Sequence, residues 1–109
     1  MCRLFAHQPI ENYQCETRSL RIGGHGTSIR LEALFWVVLE EISAGEGLSL
    51  GRFLTKLHDE VLDLHGKADN FASLLRCSCL IYLQTQSWVG PRAMHHAVAG
   101  PDARADVAA

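Results

Sequence analysis

The chain has 109 residues, 48% of them hydrophobic and 20% charged, with a formal net charge of −2. That size and balance fit one small globular domain whose modest core is readily completed by a second subunit, and they exclude a disordered polar segment. No global basic field advertises nucleic acid; instead the charge is distributed unevenly, with Arg18, Arg21 and Arg30 against Glu16 between Cys15 and Leu31, and four glutamates with no Lys or Arg between Glu32 and Gly47.

Residues 1–16 show no clear period, and Pro9 breaks them; they are expected to form an N-terminal extension. "TRSLRI" (17–22) reads as a strand, "GGHG" (23–26) as a turn, and "TSIRL" (27–31), which alternates polar and apolar, as a second strand, so the two can form a hairpin. A helix follows over about 32–44, with Phe35, Val38, Leu39 and Ile42 on one face and "GEG" at its end. Ser49 suits an N-cap for a second helix over 50–65, whose stripe is Leu50, Phe53, Leu54, Leu57, Val61 and Leu64 and which Gly66 stops. A third helix over about 71–84 is apolar around so much of its circumference that burial on more than one side is expected. Residues 85–109 turn to Gly, Ala, Pro and scattered charge and are expected to be a flexible tail.

A short strand ahead of two helices leaves backbone donors and acceptors unpaired. The economical solution is a twofold dimer in which 27–31 pairs antiparallel with its symmetry mate, Ile29 and Leu31 facing the helices and Ser28 and Arg30 projecting outward.

"TRSLRIGGHGTSIRLEALFW" with "EGLSLGRFL" at the interhelix turn resembles the ribbon-helix-helix DNA-binding family, the class of the Arc and MetJ repressors, in a proteobacterial branch with an extra C-terminal helix. "NFASLLRCSCLIYL" is similar to that helix, so the resemblance spans roughly Thr17 to Leu83, within an expected domain over 17–84. It implies a mainly α fold, an intertwined homodimer held by an intermolecular antiparallel β-ribbon, and insertion of that ribbon into the major groove of double-stranded DNA. Carried over by strand position, the base readers are Ser28 and Arg30, Arg being suited to the two acceptors of guanine. Gly26 lies at the ribbon's edge. Ile29 and Leu31 form the ribbon's inner face. The resemblance places a phosphate clamp at Ser49, Leu50 and Gly51, where a helix N-terminus favours an anionic oxygen; Arg18, Arg21 and His25 are candidates for further backbone contacts. Leu34, Trp36 and Val37 fall on the side that faces solvent in a minimal member, so the N-terminal segment or the third helix is expected to cover them. That added layer is also compatible with a tetramer.

No nucleophile–base pair, carboxylate dyad or phosphate-cradling loop appears, and no enzyme and no cofactor are expected. Cys77 and Cys79 sit about 200° apart on a helix and cannot readily chelate one ion, and His58 and His65 are two turns apart, so no metal site is expected either. The N-terminus shows no charged start and apolar core of a signal peptide, and 71–83 is too short to span a bilayer, pointing to a cytoplasmic protein without membrane contacts. The expected function is a sequence-specific transcriptional regulator, a repressor. The rivals are an antitoxin that wraps a toxin with its C-terminus, disfavoured because residues 85–109 hold few large apolar side chains beyond Trp88, Val89 and Met94, and a dimeric interaction or ligand-sensing module that has lost DNA binding.

Overall fold

The computed structural model describes residues 2–87; the expected tail beyond Ser87 lies outside them. A one-turn helix α1 (Cys2–Ala6) and a 3-10 turn (Ile10–Asn12) lead into two strands, β1 (Cys15–Ile22) and β2 (His25–Glu32). Three longer helices follow: α2 (Ala33–Gly45), α3 (Leu50–His65) and α4 (Phe71–Ser87). The chain divides into two compact units, one ending at Arg76 and the other beginning at Cys77. No helix among the described residues is long and apolar enough to cross a membrane.

The strands form a hairpin within the chain, paired antiparallel from Ile22↔His25 to Cys15↔Glu32. Its loop is Gly23-Gly24, with φ of +64° and +86°. A two-residue turn with both central φ values positive matches the twist of the flanking strands, and glycine adopts it without a Cβ clash.

The hairpin expected from the runs 17–22 and 27–31 is present, with both strands longer than expected. β2 already has a partner on one edge, because the chain runs back on itself through the paired glycines, and only its outer edge meets no further strand in this two-stranded sheet.

The helices form where their periodicity places them. Ser49 Oγ accepts from the Arg52 amide at 3.2 Å, capping α3, and Gly66 ends it in the left-handed region at φ +78°, its N–H donating to the Leu62 carbonyl. α4 runs three residues beyond its expected end at 84.

The core of the first unit joins one sheet face to α2, α3 and the start of α4: Ile22, Ile29, Leu31, Trp36, Val38, Leu39, Leu54 and Leu75 are all buried. Each fully buried large side chain there stabilises by about 1.5–3 kcal/mol relative to exposure. Trp36, expected to need a cover, is covered by β1: its indole N–H donates to the Glu16 carbonyl at 2.8 Å, and the Arg18 guanidinium lies 4.8 Å from its ring centre. Leu34 and Val37 remain exposed. The α3 stripe is only part-covered in the single chain, with Leu54 buried, Phe53, Leu57 and Val61 half-buried, and Leu64 78% exposed. On α4, Leu75 and Cys79 are buried while Leu80, Ile81 and Leu83 are exposed, so the expected burial on more than one side is not seen among the described residues.

Candidate nucleic-acid interface

Strand alternation sorts the hairpin into two faces. The helix-facing side carries Ile29 and Leu31, both buried as expected, with Ile22 beside them. The outer face carries Ser28 and Arg30. Across the ladder, Ser28 faces Ser19 with the hydroxyls 3.4 Å apart, Arg30 faces Thr17, and Arg21 faces Gly26. All six positions are exposed. No atom lies within 4 Å of where a Gly26 Cβ would stand, so the strand is open to close approach there.

Arg30 makes no ion pair and no hydrogen bond among the described residues. The obvious neighbour, Glu32, is engaged elsewhere: its Oε1 accepts from Arg76 Nε at 3.0 Å. That hydrogen bond is the main reason the Glu32 carboxyl is held below the usual carboxylate range, and the charge of Arg30 is the smallest of the contributions.

Arg18 belongs to the opposite face. Its Nη1 donates to Glu40 Oε2 at 2.6 Å and its Nε to Glu16 Oε2 at 2.9 Å, while its guanidinium stacks on Trp36. The hydrogen bond to Glu40 leads the contacts that raise its pKa above the ordinary arginine value. The structure thus does not bring Arg18 together with Arg30: it binds strand to helix. His25 shares Arg18's side by alternation but sits exposed at the hairpin tip.

Arg21 is brought to the start of α3. Thr55 Oγ1 lies 3.5 Å from the Arg21 carbonyl and accepts from the Gly23 amide at 3.2 Å, tying the hairpin tip to the helix. A Cβ at Gly51 would stand 3.9 Å from the same carbonyl, an ordinary contact, so the approach does not depend on glycine there. The result is an open depression of about 410 Å³ lined by Arg21, Ser49, Gly51, Arg52, Thr55 and Lys56. Its charged lining is wholly cationic. Within the described residues, the Leu50 and Gly51 amides have no protein acceptor, as befits the first turn of a helix. Helix dipole, free amides and three cations together suit an anionic oxygen.

Arg52 and Lys56 were not among the residues singled out from sequence. Their signal was present, two basic residues four apart on the polar side of α3 directly after its cap, but their value lies in meeting Arg21 from β1. Cys77 and Cys79 are separated in environment as well as direction: Cys77 is exposed and Cys79 buried. His58 packs edge-on against Phe71, ring centres 5.0 Å apart, which gives it a packing role.

A sequence profile described as a ribbon-helix-helix domain matches residues 15–83, from the first residue of β1 into α4. Among solved structures, the chain is similar to an uncharacterized protein from Bordetella pertussis Tohama I, at 42% identity and a TM-score of 0.75, over 86% of this chain and 77% of that one. No curated protein matches it.

Proposed function

The chain belongs to the ribbon-helix-helix family, whose members are generally DNA-binding transcription regulators or antitoxins, and we infer that it is a homodimeric, sequence-specific DNA-binding regulator acting as a repressor in the bacterial cytoplasm. The observation that carries this reading is the uncommitted Arg30 on the outer face of the hairpin, together with the cationic depression where Arg21 of the same hairpin meets the start of α3.

In the dimer, β2 pairs through its open edge with the β2 of its twofold mate, and the part-covered α3 stripe is completed by the partner. The strand order becomes β1-β2-β2-β1. At about 4.8 Å per strand its outer strands stand about 14 Å apart, wider than the roughly 12 Å major groove. The two β2 strands therefore lie over the base edges, with Ser28 and Arg30 as readers, and the β1 strands over the phosphate rims. Arg21, Ser49, Leu50 and Gly51, extended by Arg52 and Lys56, hold the backbone; His25 at the tip adds to them. Arg18 supports this surface from behind by bracing β1 on Trp36.

The test is selection from a pool of randomised duplex DNA by the wild-type dimer across a salt series. An enriched motif with symmetric half-sites is expected. Affinity that falls with salt but enriches nothing would replace the regulator with a non-specific binder, and a folded dimer that binds no duplex would refute DNA binding.

A further inference from the structure

The strand that carries Arg30 also carries a carboxylate two residues on. By alternation Glu32 shares the outer face with Arg30, about 6.6 Å along the strand. A carboxylate and a guanine edge offer an arginine the same thing, two acceptors for its planar fork. Left free, Glu32 would compete with DNA for Arg30 and would also present a negative charge to the phosphates.

The structure removes that competitor. Arg76, 44 residues further along the chain on α4, donates from Nε to Glu32 Oε1 at 3.0 Å. Both side chains are about one-third exposed, at 35% and 34%. Partial burial screens this pair less than it would the exposed alternative between Arg30 and Glu32, and so favours it. Arg30 consequently has no ion-pair partner among the described residues.

We propose that Arg76 is a positioning residue for DNA recognition: by holding Glu32, it keeps the Arg30 guanidinium available to a base. The inference rests on the DNA-binding reading above. It gives the added helix a function at the reading surface, through the contact between the first turns of α4 and the end of β2.

The test compares wild type with Arg76→Gln, Glu32→Gln and the double variant on a short duplex carrying the motif that wild type enriches. Arg76→Gln retains an uncharged side chain with part of the stem, and Arg76→Lys serves as a second variant that keeps the charge. With Glu32 released, an exposed ion pair must be broken before each Arg30 can reach a base, weakening binding up to about fivefold per reader and about 25-fold for a dimer. Arg76→Gln is expected to show this loss, Arg76→Lys less of it, Glu32→Gln none, and the double variant is expected to recover wild-type affinity. A merely structural ion pair predicts the opposite, with Glu32→Gln as harmful as Arg76→Gln and no rescue; that result overturns the proposal. The Arg30 Nε–Hε NMR resonance, recorded without DNA, provides an independent readout. It should move in Arg76→Gln and return in the double variant. If wild type binds no duplex, the DNA reading falls on its own; an Arg30 resonance unmoved by Arg76→Gln overturns the positioning.

Discussion

Replacing Arg30 by alanine separates reading the bases from holding the backbone. Arg30 is exposed and carries no ion pair, so Arg30→Ala should leave the folding free energy within about 0.5 kcal/mol of wild type. Each bidentate contact to guanine discriminates by about 1–3 kcal/mol. A dimer with two such contacts should therefore lose about 2–6 kcal/mol of specific binding, roughly 30-fold to more than 10⁴-fold in Kd. Arg52→Ala acts on the other component. Losing one phosphate contact per subunit lowers the salt slope by about 0.9 for each, about 1.8 for the dimer, while the preferred motif stays the same. Fluorescence anisotropy titrations of motif and scrambled duplexes, from about 50 to 200 mM salt, measure both quantities. Motif preference that survives Arg30→Ala in a folded dimer would refute the assignment of the outer face as the reader.

Three further outcomes follow from the packing. Trp36→Phe leaves the Glu16 carbonyl without its indole donor, costing about 1–3 kcal/mol, and weakens the contact with Arg18 by about 0.5–1 kcal/mol; urea unfolding should show a loss of about 1.5–4 kcal/mol, and a loss under about 0.5 kcal/mol would contradict the role given to β1. Leu64→Glu alters a side chain 78% exposed in the single chain, so it should dissociate the dimer in sedimentation experiments while the helical content persists; an intact dimer would show that the partner does not cover that end of α3. Burial pushes the Cys79 thiol from its ordinary 9.0 to about 11. Its stabilising contribution is full below pH 9.0 and declines as pH rises toward 11, because the unfolded chain releases the proton first; Cys79→Ala should flatten that part of the stability curve, and an unchanged curve would argue against the burial.

Much of the architecture was legible in the local sequence. The turn expected over 23–26 closes at Gly23-Gly24, because positive φ is cheap only for glycine, and His25 and Gly26 join β2. Ser49 and Gly66 mark the ends of α3 through bonds made within a few residues, and the period-two pattern from Thr27 to Leu31 correctly assigns Ile29 and Leu31 inward and Ser28 and Arg30 outward. These features depend on short-range sterics and side-chain period, which a linear reading contains. What each charge touches does not. Arg18 alternates to the helix side and is bound by Glu40, 22 residues away; Trp36 is roofed by β1. Arg21 meets Arg52 and Lys56 only because Thr55 ties the hairpin tip to α3. Glu32, adjacent in pattern to Arg30, is taken by Arg76, 44 residues further along the chain. Such pairings are chosen by which elements pack together and by how strongly partial burial favours one partner over another, so only the tertiary structure could decide them.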